Sequence, residues 1–321
     1  MADNRVYAGI DIGGTSIKFG LFDSNGKVLY REQRPSLVEK GATPLMHLIG
    51  NIGERLLYFA ADEELNVEYL GVGSPGAIDF SRGVVSGPSP NIPGWEGMEI
   101  GPTLSERLNI QVYVDNDANA MALAEGRFGA AAGSDSVVCV TVGTGIGGGL
   151  IIRGKIWRGA HSSGAEIGHM SIDFDGPKCA CGQRGCIEAF CSSRAMLQRA
   201  RNRLKDGLTP AFNDVLEGDL KNLTIKKIFA AVGKDDNVAR EVIDETGRFL
   251  GVGLAGVVNL LNPETIVIGG GIAEGGGGFI DAVTKEIKQR AFSSAVEKLR
   301  VVRATLGNNA GFIGAGLLGE E

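Results

Sequence analysis

Apolar and polar positions divide the chain into two successive runs of strands and helices, each with an early glycine turn between strands. Residues 6–35, VYAGIDIGGTSIKFGLFDSNGKVLYREQRP, read as three strands. GGT makes the first turn and SNGK the second, a strong hairpin signal. Residues 43–64, TPLMHLIGNIGERLLYFAADEE, have the pattern of an amphipathic helix opened by Thr43 and Pro44. VEYLGVGSPGAI, residues 67–78, is a strand running into a Gly/Pro loop, and SGPSPNIPGW, residues 86–95, is too rich in proline and glycine to be regular. In IQVYVDNDANAMALAEGRFG, residues 110–129, a short apolar strand meets a polar turn and then an alanine-rich helix.

The second run begins at SVVCVTVGTGIGGGLIIRGKIWRG, residues 136–159, another strand, glycine turn and strand. Residues 192–250 read as mostly helical. ETIVIGGGIAE, residues 264–274, is an apolar strand entering a glycine loop. A closing strand, RVVRATLG, leads into a tail of small residues, NNAGFIGAGLL, which needs a surface to pack on. This pattern predicts an α/β protein of two related domains around a cleft. The expected break is near residue 116: one domain holds 1–116 plus a final helix at about 308–321, and the other holds 117–307.

Composition narrows the function. Of 321 residues, 43% are hydrophobic and 22% charged, as in globular chains, and the formal net charge is −6. Such a balance gives no electrostatic help in holding nucleic acid. No apolar run is long enough for a bilayer, and MADNRVYAGIDIGG lacks a signal-peptide layout, so no membrane and a cytoplasmic location are expected. In a reducing compartment, clustered cysteines suggest metal or redox work. The 50 glycines cluster, which suggests loops that approach a ligand closely.

TVGTGIGGG contains a G-x-G-x-x-G match at Gly143, Gly145 and Gly148. A dinucleotide site needs a helix after it, whereas GLIIRGKIW reads as a strand. The better reading is a turn whose backbone N–H groups face an anion. DIGGTSIK offers the same device with Asp11 at its mouth. A carboxylate beside a phosphate needs a cation between them, for which Mg²⁺ is the natural candidate; the bland alternative is a plain hairpin turn. No G-x-x-x-x-G-K-[ST] occurs, since Lys27, Lys155 and Lys234 follow glycines but precede Val, Ile and Asp. GGGIAEGGGG, residues 269–278, fits either a flat base or ribose against backbone, or a flexible loop. In VDNDANA, one of Asp115, Asn116 and Asp117 caps the helix, or a carboxylate stands there as a general base.

The segment GHMSIDFDGPKCACGQRGCIEAF, residues 168–190, holds one of three histidines and three of five cysteines. His169, Cys179, Cys181 and Cys186 form H-x9-C-x-C-x4-C, a full tetrahedral set for Zn²⁺. A filled Cys₃His shell leaves no open position, so the metal would be structural. Free thiols or a redox pair are the alternatives, and Cys139 and Cys191 read as ordinary buried cysteines. Glu166 lies three residues before His169 and Glu188 two after Cys186. A metal knot would fix both acids as acceptors for a sugar diol; otherwise they are solvated surface charges.

DIGGTSIK, SPGAID, PNIPGW, VDNDANAMALAEGRFG, TVGTGIGGG, GAEIGH and CACGQRGCIE occur in the order that resembles the ROK family of sugar kinases and repressors, most of all its bacterial glucokinases. The resemblance runs from residue 6 to about 316. It implies the two-domain, actin-like ATPase fold closing on ATP and sugar, with transfer of the γ-phosphoryl group to the 6-hydroxyl of glucose. By motif position, Asp117 resembles the catalytic base. Asn91, Asn116, Glu166, His169 and Glu188 resemble sugar ligands, with Gly76 lining the pocket. Asp11 resembles the residue near Mg²⁺. Gly13, Gly14 and Thr15, then Thr144 and Gly145, resemble the phosphate loops, and Gly270 and Gly271 the nucleotide-binding turn. His169 would place one ring nitrogen on zinc and the other on a sugar hydroxyl. A homodimer is implied. The rivals are kinases for N-acetylglucosamine, N-acetylmannosamine, fructose or mannose, and a non-catalytic sugar sensor or repressor. A family repressor adds an N-terminal helix-turn-helix, for which a hairpin beginning at Val6 leaves no room. The sequence departs from the family at Ala165, where glycine often precedes the acid.

Overall fold

The computed structural model describes residues 4–87, 89 and 92–321. Its contacts divide the chain into two compact units. The first holds 1–139, 149–165 and 305–321, and the second 140–148 and 166–304.

In the first unit β1 (Arg5–Ile12), β2 (Ser16–Asp23) and β3 (Val28–Pro35) form an antiparallel meander, followed by α1 (Ala42–Asp62) and β4 (Asn66–Ser74). Short strands β5 (Ile78–Asp79) and β6 (Val84–Val85) pair before α2 (Ile100–Leu108), β7 (Gln111–Asn116) and α3 (Asp117–Arg127). The sheet order is β3-β2-β1-β4-β7, with β4 parallel to both neighbours. Leu45, Ile49, Ile52, Leu56 and Ala60 give α1 one buried face, which packs with Ile10, Ile17, Phe19, Val72 and Val114 of the sheet.

Strands β8 (Ser136–Val142) and β9 (Ile146–Ile152) each run along the chain from one unit into the other, and β10 (Lys155–Ile156) follows. The second unit continues with α4 (Ile187–Cys191), α5 (Ser193–Leu204), α6 (Pro210–Leu216), α7 (Ile225–Val232) and α8 (Asn237–Leu261). Next come β11 (Thr265–Gly269), α9 (Gly277–Arg290), α10 (Ser293–Val296) and β12 (Arg300–Arg303). The second sheet has the order β10-β9-β8-β11-β12. The helical stretch expected over 192–250 is four helices. Their starts are set by Ser192, Thr209, Thr224 and Asp236, each accepting a backbone N–H of the first turn.

The chain returns to the first unit as α11 (Ala310–Gly316), packed on β1, β4 and α3. Missing side chains admit it. A Cβ on Gly9 would lie 1.8 Å from the Phe312 carbonyl oxygen, one on Gly71 1.7 Å from that of Ala315, and one on Gly314 1.6 Å from that of Ala120. The contacts therefore differ from a break near residue 116. Helix α3 packs on β4 and α11, and 149–165 also belongs with the first unit. Among the described residues no helix is long and apolar enough to cross a membrane.

Candidate active site

In the first unit the β1–β2 turn is closed by Gly13 N–H donating to the Ser16 carbonyl at 3.0 Å, which leaves Gly14 and Thr15 exposed at its tip. Asp11 lies at the end of β1, where a Cβ on Gly311 of α11 would come within 2.3 Å of its carboxyl carbon. Burial pushes the Asp11 carboxyl up to about 6, countered in part by Lys18, its register partner on β2. A half-buried acid beside a turn of exposed backbone fits a site for Mg²⁺, whose charge would offset its desolvation.

Strand β7 ends and α3 begins at Asn116–Asp117, so Asp117 occupies the first helical position, half-buried. A helix N-terminus favours negative charge there. The cap is Asn116, whose Oδ1 accepts from the N–H groups of Ala118 and Asn119 and whose Nδ2 donates to the Gly76 carbonyl at 3.0 Å. Gly76 has φ of +92°, which glycine adopts without strain. Most of the Asn116 amide is thus engaged in structure, leaving its second Nδ2 proton for a ligand. Asn91 lies outside the described residues.

In the second unit the β8–β9 turn is closed by Gly143 N–H to the Gly145 carbonyl at 3.0 Å, with Thr144 exposed. The G-x-G-x-x-G stretch leads into strand β9 and not a helix, so it lacks the dinucleotide context. The Glu188 carboxylate accepts the Ile146 N–H at 3.0 Å, and a Cβ on Gly145 would sit 2.7 Å from that oxygen. Gly168 is packed on the same turn, a Cβ there lying 2.2 Å from the Ile146 carbonyl oxygen. Backbone contacts therefore tie His169 and Glu188 to the 143–146 turn. Glu166 stands immediately before the 3-10 turn that carries His169, and its exposed side chain makes no capping hydrogen bond there. After β11, Gly270 has φ of +88° against Val142, and Gly271 is exposed.

The four metal-ligand candidates converge. One ligand atom from each of His169, Cys179, Cys181 and Cys186 lies within 4.8 Å of every other. Cys179 Sγ is 3.8 Å from His169 Nδ1, and Cys181 Sγ is 3.7 Å from Cys186 Sγ. A zinc tetrahedron with Zn–S of about 2.3 Å has edges of about 3.8 Å, so these residues fit the ion. A turn over 177–185 gathers the thiols, with Cys179 N–H donating to the Gln183 carbonyl and Gly185 N–H to that of Pro177. Gly185 has φ of +72°, and a Cβ there would meet the Asp173 carbonyl oxygen at 1.6 Å. Burial pushes the Cys179 thiol up to about 12 and raises Cys186, while a backbone N–H at Gln183 lowers Cys181. A cation is the partner that would release the protons of the buried thiols. Glu188 Oε1 lies 3.6 Å from Cys179 Sγ, so this acid adjoins the knot. Cys139 and Cys191 are buried apart from the cluster.

The structure also assembles groups the sequence did not single out. Arg158 reaches Asp115, and Ile146 N–H reaches Glu188, across 43 and 42 residues. Nothing local in KIWRG or TGIGG signals either partner.

Two α/β units with glycine turns between the strands of each, an aspartate opening a helix and a Cys₃His knot make up the actin-like ATPase fold in its sugar-kinase form. A family model described as the ROK family matches residues 7–321, and the chain belongs to that family. It is 35% identical to the glucokinase of Thermotoga maritima over 98% of this chain and 96% of that one. The crystal structure of a ROK family glucokinase from Streptomyces griseus in complex with glucose and AMPPNP matches with a TM-score of 0.84 and 34% identity, over 98% of each chain. The xylose repressor of Caldicellulosiruptor bescii is 30% identical over 95% of this chain and 76% of its own length.

Proposed function

We propose that the chain is an ATP-dependent glucokinase that phosphorylates the 6-hydroxyl of glucose. The observation that carries this reading is the placement of the motif residues in a chain matched from end to end by glucokinases. Asp117 opens α3 in the first unit, and Glu188 and His169 adjoin the metal knot and the glycine turn in the second.

Glucose is held by Glu166, Glu188, the outward nitrogen of His169 and the remaining Asn116 N–H, with Asn91 and Gly76 completing its surroundings. Ionised carboxylates accept hydrogen bonds from adjacent hydroxyls, and His169 Nδ1, the nitrogen near the thiols, is left to the metal. The triphosphate lies on the backbone of Gly13–Thr15 and Thr144–Gly145, and the nucleoside on Gly270–Gly271. Asp11 would hold Mg²⁺, which would supply positive charge against the phosphate oxygens. His169, Cys179, Cys181 and Cys186 would hold Zn²⁺ in a structural role. Asp117 takes the proton of the 6-hydroxyl as its oxygen bonds to the γ-phosphorus; the bridging P–O bond breaks and ADP leaves. The setting is cytoplasmic sugar catabolism, and the working form is a homodimer.

The test is a coupled assay of glucose, mannose, fructose and the N-acetylhexosamines, with ATP, ADP or polyphosphate as donor. Glucose with ATP is expected to give the highest kcat/KM. Asp117→Asn is expected to bind glucose while losing about a hundredfold or more in kcat. Glucose binding without turnover in the unsubstituted protein would identify a sugar sensor instead.

A further inference from the structure

Asp115 stands two residues before the base and is 1% exposed. It lies in β7 opposite Gly73 of β4, which brings no charge. Its Oδ2 accepts from Arg158 Nε at 2.7 Å. Its Oδ1 accepts from Asn119 Nδ2 at 3.0 Å and from the Asn116 N–H at 2.7 Å. One carboxylate thus grips the backbone just before Asp117 and a side chain two residues after it. Arg158 is held in turn: its guanidinium carbon is 3.7 Å from the Phe80 ring centroid, and Nη1 is 3.6 Å from Glu321 Oε2.

We propose that Arg158 and Asp115 form a positioning pair that fixes the start of α3, and with it the Asp117 side chain, for proton transfer. The proposal rests on the reading of Asp117 as the base. Asn116 already caps the helix. A buried ion pair adds little net stability over an apolar pair of the same volume, and its best-attested contribution is to fix register. Here the register is that of a group whose displacement by about 1 Å costs about a hundredfold in rate.

The test compares Arg158→Met, Arg158→Lys, Asp115→Asn, the double variant Asp115→Asn/Arg158→Met, and Asp117→Asn as reference. For each, Tm, glucose Kd by calorimetry, and kcat well below its Tm are measured. Arg158→Met is expected to lower kcat about tenfold or more with glucose Kd unchanged, and Arg158→Lys to restore part of it. Arg158→Met and Asp115→Asn each strand a buried charge and lower Tm. The double variant removes both charges, so Tm recovers while kcat stays low; it carries the comparison if a single variant does not fold. Wild-type kcat in folded Arg158→Met, or kcat returning together with Tm in the double variant, would overturn the proposal. Full turnover in Asp117→Asn would instead remove the base assignment on which it rests.

Discussion

Ala165 has φ of +64°, in the left-handed region that costs a residue with a Cβ about 1–2 kcal/mol. The departure from glycine at this position is therefore strained. Ala165→Gly is expected to raise stability by about 0.5–1 kcal/mol, the strain relieved less the added freedom of the unfolded chain, read from urea unfolding. Asp11 gives a pH-dependent counterpart. Its folded pKa, about 6, stands above the ordinary 3.8, so the folded chain holds this proton more tightly than the unfolded one. Its stabilising contribution is complete below pH about 4 and is lost as pH rises to about 6. Without magnesium, the stability of the unsubstituted chain relative to Asp11→Asn is expected to fall by about 2–3 kcal/mol across that window. A flat difference would contradict the burial of Asp11. The Asp11 motif was legible in the sequence; its burial under Gly311 was not, because 300 residues separate the two.

Helix α11 shows how an element depends on absent side chains elsewhere. Gly314→Ala would drive a methyl into the Ala120 carbonyl, with a cost of about 3 kcal/mol or more expected in urea unfolding. That the tail needed a surface was readable from its small residues; which glycines supply it was not, since Gly9 and Gly71 look like ordinary strand positions. Helices α2 and α9 were not read from the sequence; α9 begins inside the glycine run 269–278, which fitted a flexible loop. The 177–185 turn is the reverse case. The cysteine spacing and its Gly and Pro residues signalled a metal knot, and the thiols and imidazole do converge. Stripping the metal with a strong chelator is expected to lower Tm and weaken glucose binding together, since metal binding and local folding are one equilibrium. Metal-free protein with unchanged Tm and glucose affinity would refute this coupling.

At the scale of the whole molecule, each unit is assembled from separated stretches of chain. Residues 1–116 by themselves lack α3 and α11, which cover β4 and β1. That fragment is expected to show neither a cooperative urea transition nor dispersed amide resonances, whereas the full chain shows both. A folded 1–116 fragment would mean the sheet and α1 suffice as a core.

The sequence by itself determined most of the strands and helices, with α2 and α9 the exceptions, the two glycine turns, the ligand spacing of the knot and the family. These depend on residues within a few positions of one another, where turn chemistry and hydrophobic period act directly. Only the tertiary structure decided that Arg158 faces Asp115, that Glu188 holds the Ile146 amide, and that α11 lies against Gly9 and Gly71. Those contacts join residues far apart in the chain. Whether they form depends on how helices and strands pack at close range, which no local pattern encodes.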